Sequence, residues 1–216
     1  MPFSNYSELK QSIIDYSHRR DIDLKVDDFI TLAEKSMYNP PILDGRPVEP
    51  LRIKQLEVTD TLTVLTTTPF VSLPSNYAEL RNTRLDIVNE TDFLEYRAPE
   101  QMRRFDDDAG RPCFFTVIGN QIELDRTPDE AFDIEIQYYS VDAALTSSNT
   151  TNLVLTNHPE LYLYGSLFHL YIFANDPEMT ALYKGEFIAS LEGANKADKR
   201  GRYGPSPVMK VAGSTP

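Results

Sequence analysis

The stretch Leu161-Tyr162-Leu163-Tyr164-Gly165-Ser166-Leu167-Phe168-His169-Leu170-Tyr171-Ile172-Phe173 constrains this chain more than any other. It follows Asn157-His158-Pro159-Glu160, which reads as a helix start: a polar cap, Pro near the first helical position, then an acid in the first turn. Leu161, Tyr164, Leu167, Phe168 and Tyr171 form one stripe at helical spacing, and Leu163, Leu170, Ile172 and Phe173 cover much of the remainder. A helix apolar nearly all round is surrounded on most sides. At about 24 Å it is too short to span a bilayer, so it belongs inside protein. A second start signal, Asn175-Asp176-Pro177-Glu178, opens another helix at once, with Met179, Leu182, Tyr183, Phe187, Leu191 and Ala194 on one side. The tight joint predicts a helical hairpin.

A second, more one-sided hairpin is predicted at the other end. Ser4 or Asn5 caps a first helix, with Glu8 as the capping-box acid and Tyr6, Leu9, Ile13 and Tyr16 as its stripe. A further helix starts near Val26, places Phe29, Ile30, Ala33 and Met37 on one face, and ends before Asn39-Pro40-Pro41. Two hairpins with apolar faces most simply pack as one bundle.

Between them the hydrophobic period shifts towards two. Strands are expected from about Arg52 to Leu65, Pro69 to Leu73, Leu80 to Val88, Cys113 to Ile118, Gln121 to Asp125 and Phe132 to Tyr139. Gly119-Asn120 is a tight-hairpin signal, and Ile134, Ile136 and Tyr138 alternate with Asp133, Glu135 and Gln137 as a strand with one wet face. A short helix is expected over 99–105, and Thr146 to Asn152 as a connector. The expected fold class is α+β. A helical bundle domain takes residues 1–45 and 153–196, an inserted antiparallel β-rich module 46–152, and a flexible basic arm 197–216.

The net charge of −12 argues against wrapping nucleic acid on the general surface. The end of the chain differs: Lys196, Lys199, Arg200, Arg202 and Lys210 face only Asp198, a local charge of +4. It reads either as a solvated tail or as an arm that orders on an acidic partner. The N-terminus lacks a basic and apolar leader pattern, and no stretch is long enough to span a membrane. The single Cys113 excludes an intrachain disulfide and fits a reducing compartment; at a strand start after Pro112 it reads as a small buried hydrophobe.

Chemistry-bearing patterns are sparse. His18, His158 and His169 have no zinc spacing. Asp106-Asp107-Asp108 lacks the alternating ligands of a calcium loop, and Val117 stands where its closing Glu belongs. Gly165-Ser166 has no nucleophile-elbow context and suits close helix packing. No phosphate-binding glycine loop occurs, and no cofactor is expected.

Several segments carry a resemblance when taken in order. They are Tyr16-Ser17-His18-Arg19-Arg20-Asp21, Asp28-Phe29-Ile30-Thr31-Leu32-Ala33-Glu34, Leu73-Pro74-Ser75-Asn76-Tyr77-Ala78-Glu79-Leu80-Arg81, Gly110-Arg111-Pro112 with the hairpin to Leu124, Pro128 with Tyr138-Tyr139, and Pro159 to Leu167. Together they resemble the tailed-bacteriophage head-to-tail adaptor (connector) proteins, of the gatekeeper or tail tubular type of short-tailed phages. The chain departs from that pattern at Tyr16, where Trp is common, and at Met37-Tyr38-Asn39-Pro40, where a basic helix end is usual.

The resemblance implies a non-enzymatic virion protein at the head-tail junction, made in the host cytoplasm. It implies a homo-oligomeric ring, typically of twelve copies, docked under the portal protein. Such a ring extends the DNA channel, lets DNA pass without specific binding, and offers a surface to a downstream tail or nozzle protein; no membrane is involved. On this reading Tyr164, Phe168, Tyr171, Tyr183 and Phe187 hold bundle or neighbouring subunit together, and Lys199, Arg200, Arg202 and Tyr203 form the portal-contacting arm. An alternative is a carbohydrate- or peptide-binding β module on a helical support, which needs exposed aromatics among Tyr96, Phe114, Tyr138 and Tyr139. A third, a glycan hydrolase, needs a cleft with paired carboxylates.

Overall fold

The computed structural model describes residues 3–19, 21–43, 45–87, 90–102 and 109–203, without the side chains of residues 86, 87, 90–92, 202 and 203. The chain is mixed α+β, with six α-helices and two four-stranded sheets among the described residues. It divides into two compact units, one from residues 1–55 and 142–216, the other from residues 56–141.

The first unit is helical. Helix α1 spans Tyr6–Ser17, and its Asn5 cap accepts the Glu8 N–H at 3.0 Å. Glu8 reaches back to the Ser4 N–H at 2.7 Å, which completes a capping box one residue earlier than usual. Helix α2 spans Val26–Tyr38 and buries Phe29, Ile30, Ala33 and Met37. The Tyr6 hydroxyl and Lys10 both meet Asp27 at 2.7 Å and tie α1 to α2.

The long helix α5, Pro159–Phe173, packs along α2 and on α6, which spans Pro177–Tyr203, and it touches α1. A short helix α4, Leu153–Asn157, precedes it, capped by the Asn152 side chain. This helix lies in a stretch expected only to lead into the next start signal. Its apolar content, Leu153, Val154 and Leu155, is too short to show a helical period. Among the described residues no helix is long and apolar enough to cross a membrane.

The second unit is a pair of packed sheets. Strands β1 Glu57–Val64, β2 Phe70–Ser72, β3 Tyr77–Ile87, β4 Glu90–Phe93 and β5 Glu95–Tyr96 come first, then helix α3 Pro99–Met102, then β6 Phe114–Ile118, β7 Gln121–Leu124 and β8 Phe132–Ser140. The sheets run β1-β8-β3-β4 and β2-β7-β6-β5, antiparallel except for β5 with β6. Ile134, Ile136 and Tyr138 of β8 pack with Val64, Leu85, Phe115, Ile122 and Leu124 in one core. The alternation along β8 places Glu135 and Gln137 on the wetter face. Gly119 opens the two-residue β6–β7 turn at φ 60°, the conformation that turn requires at its first central position.

The units meet at 56 and 141 and not at the expected 46 and 152. Residues 47–54 lie as a strap along α6. Asn195 holds the Arg52 N–H at 2.9 Å and the Pro50 carbonyl at 2.9 Å, and Asp198 holds the Lys54 N–H at 2.7 Å. The Leu51 N–H donates to the Met37 carbonyl at 2.8 Å. The expected arm also starts later, because residues 197–203 continue α6. Residues 204–216 lie outside the described residues, as do 103–105 of the expected crossing helix.

Candidate assembly surface

The surface is built on α5. Its sequence is apolar on every side, and neighbouring helices cover most of it but not its C-terminal end. Leu161, Leu167 and Leu170 have no exposure, and Leu163 is 5% exposed. Gly165 sets the distance between helices. A Cβ placed there would lie 2.9 Å from Ala33 Cβ on α2 and 3.2 Å from the Phe187 ring on α6. His169 reinforces the α2 contact, with Nε2 2.8 Å from the Ser36 hydroxyl. Burial lowers the His169 pKa, which keeps the ring neutral.

One face of α5 is polar only at its tip. The Tyr162 hydroxyl donates to Glu34 at 3.1 Å and accepts from the Asn152 amide at 2.6 Å. Glu34 also receives the Leu145 N–H at 2.7 Å, and the Tyr38 hydroxyl receives the Asp142 N–H at 2.8 Å. These bonds hold residues 142–152 on α2 and α5. Burial raises the Glu34 pKa, and the nearby Asp142 charge adds to the rise. Tyr38 is pushed up to about 12, chiefly by burial.

The five expected interface residues divide. Phe187 has no exposure and Phe168 and Tyr171 are nearly as covered, so a single chain already uses them in its own core. Tyr164 and Tyr183 are half-buried. Tyr183 stacks on Tyr171 with centroids 5.3 Å apart and rings 3° from parallel, and lies 6.4 Å from Tyr164. Burial raises the Tyr183 pKa, with smaller contributions from Tyr171, Tyr16 and Tyr164, so the Tyr183 hydroxyl stays protonated.

Beside this trio the chain leaves apolar groups open. Tyr16, Ile172, Phe173 and Leu182 are 51–58% exposed. The sequence places Tyr16 and Leu182 on the apolar sides of their helices, and Ile172 and Phe173 on the remainder of α5 outside its stripe. The signal available was the excess itself, since a helix apolar on every side needs more cover than three neighbours supply.

Of the expected arm, Lys199 pairs with Glu49 at 2.7 Å and Arg200 is exposed. The side chains of Arg202 and Tyr203 lie outside the described residues. In the β unit Tyr96 is exposed, Phe114 and Tyr139 are half-buried, and Tyr138 is core at 2%. Cys113 is exposed and not the buried hydrophobe expected, because Asp125 draws the Cys113 and Phe114 N–H groups inward and leaves the thiol outside.

Residues 4–210 match the SU10 adaptor protein family. The chain belongs to that family. It is a phage structural adaptor family and not an enzyme family, in line with the adaptor resemblance read from the sequence. No curated protein matches the chain.

Proposed function

We propose that this chain is the subunit of a head-to-tail adaptor ring, of the gatekeeper or tail tubular type, that docks under the portal. In this reading the α1–α2 and α5–α6 hairpins form one bundle whose open apolar end seats a neighbouring copy. Twelve such copies extend the DNA channel and present an attachment surface to the tail or nozzle protein below. The observation that carries the reading is the exposed group Tyr16, Ile172, Phe173 and Leu182, flanking Tyr164 and Tyr183. Large apolar side chains left exposed are candidates for an interaction surface, and a repeated contact between unlike patches closes into a ring. The net charge of −12 suits a conduit, since a negative wall repels passing DNA. Lys199, Arg200, Arg202 and Tyr203 supply the cationic contact to the portal.

Light scattering tests this. The purified chain alone, and then mixed with its portal, should change from a small species to a large stoichiometric ring. Ile172→Asp and Leu182→Asp alter exposed side chains, so their melting temperatures should stay within about 2 °C of the parent, as for surface changes of roughly 0.5 kcal/mol. Both should nevertheless fail to form the ring. A normal ring from both variants refutes the surface, and no ring from the parent chain refutes the function.

A further inference from the structure

The β unit contains a groove of about 670 Å³, lined by Tyr77, Leu80, Tyr96 and Phe115 together with the charged Glu79 and Arg81. At its floor Leu80 and Thr83 stand opposite Tyr138 and Ile136 of β8, on the inner face of β3. It stays open because two strand edges end early. β4 pairs with β3 only from Arg84 to Ile87, so among the described residues no strand covers that edge over Tyr77–Thr83. β5 is two residues long and pairs at Phe114 and Phe115, so among the described residues no strand continues along Thr116–Ile118 of β6 on that side.

Thr83 provides an independent sign of a missing occupant. It is 3% exposed, lines the groove, and its hydroxyl has no hydrogen-bond partner. Buried hydroxyls are normally paired, and an unpaired one costs about 1–3 kcal/mol. An open strand edge beside a groove of mixed apolar and polar lining is the geometry that accepts an added strand, with main-chain bonds for affinity and pockets for alternate side chains.

We propose that this groove takes residues 208–212 of a neighbouring copy as an added strand; the proposal rests on the ring reading. The segment is Val208-Met209-Lys210-Val211-Ala212, free of Pro and set between Pro207 and Gly213. Extended, it turns Met209 and Val211 to one side and Lys210 to the other. Residues 204–216 lie beyond the described end of α6, a length of chain that reaches up to roughly 45 Å when extended. Charge favours the pairing. Residues 56–141 hold seven Arg and no Lys against seventeen Asp and Glu, a net of −10. Residues 199–216 hold four basic residues and no acid. Donation of the same segment by each copy to the next is a head-to-tail contact, the kind that closes a ring.

Hydrogen exchange on the full chain tests the proposal, with a synthetic peptide of residues 204–216 as the probe. Excess peptide should slow exchange at 79–83 and 116–118 at least tenfold, saturably. A peptide carrying Met209→Asp and Val211→Asp should give no slowing. No effect of the parent peptide, or equal slowing by the Asp peptide, overturns the proposal. So does protection in the full chain alone that survives dilution, since the segment would then fold back on its own copy. The same two substitutions placed in the full chain separate this inference from the ring reading. Loss of the portal-dependent ring supports both. A normal ring from the substituted chain overturns the strand and leaves the ring. A parent chain that forms no ring overturns the ring reading and, with it, the neighbouring-copy assignment.

Discussion

Gly165→Ala is the sharpest probe of how the helical unit is assembled. In an exposed helix the change should help, because Ala exceeds Gly in helix propensity by about 0.8–1 kcal/mol. At Gly165 the new methyl would sit 2.9 Å from Ala33 Cβ and 3.2 Å from two carbons of the Phe187 ring. Carbon atoms pack best at about 3.5–4.0 Å. The overlap with Ala33 is the harder one, since a Cβ has no rotamer through which to move. Either α2 and α5 separate or the Phe187 ring leaves its place in the core. Overpacking of this kind costs roughly 1–3 kcal/mol, which exceeds the propensity gain. The net expectation is a loss of up to about 2 kcal/mol, or up to roughly 8 °C in melting temperature for a chain of this size.

Gly185, on α6, is the control: nothing lies within 4 Å of a Cβ built there. Gly185→Ala should therefore stabilise by up to about 1 kcal/mol. The assay is urea unfolding followed by circular dichroism at the helical band, for both variants and for Gly165→Ala combined with Ala33→Gly. The double variant removes the obstructing methyl and should be less damaged than the sum of its single changes. Equal stabilisation by Gly165→Ala and Gly185→Ala would refute the claim that Gly165 sets the helix spacing.

Asn195→Ala removes two bonds to the strap, at Arg52 and Pro50, and should cost about 1–3 kcal/mol with faster proteolysis within residues 47–54; unchanged cleavage would show that the strap is held elsewhere. The pH dependence should contain two opposed contributions. His169 has a pKa lowered from 6.5, so the unfolded chain takes up its proton first; stability present above pH 6.5 falls as pH drops below it, and His169→Asn should remove that slope in urea titrations. Glu34 has a pKa raised from 4.5, so the folded chain takes up its proton first; its contribution grows as pH falls through the folded value, and Glu34→Gln should abolish that gain. Lys199→Glu should leave the melting temperature almost unchanged, since its pair with Glu49 is exposed, yet weaken portal docking and the salt sensitivity of docking.

Much of the architecture was legible because it rests on local chemistry. Asn5 and Asp176 cap helices where their side chains accept main-chain N–H groups, and Pro159 begins α5 where a missing N–H is harmless. β8 was readable from its strict alternation. β4 and β5 were not, because four and two residues are too few to display a period, and Glu90, Thr91 and Asp92 carry no apolar signal. The end of α6 was misjudged for another reason. Asn195 and Asp198 read as ordinary polar residues of a fraying end, yet they are buried, at 3% and 8% exposure, because the strap fills their hydrogen bonds. That partner lies some 140 residues away in sequence and leaves no local trace.

The candidate surface shows the same limit from the opposite direction. An aromatic stripe announces that cover is needed; it does not announce who supplies it. Phe187 and Tyr183 sit four residues apart on one stripe of α6, yet the first is sealed by Gly165 and the second faces outward beside Tyr164. The difference follows from which residues of α5 each one meets, which is a property of the packed unit. The same holds for β3, whose residues Thr83 and Leu85 both face the core while only Leu85 lies where β4 continues the sheet. In both units, then, the chain satisfies its own core up to a boundary and leaves apolar or unpaired groups beyond it. That pattern is what a subunit needs if it is to stay folded alone and still have somewhere for a neighbour to go.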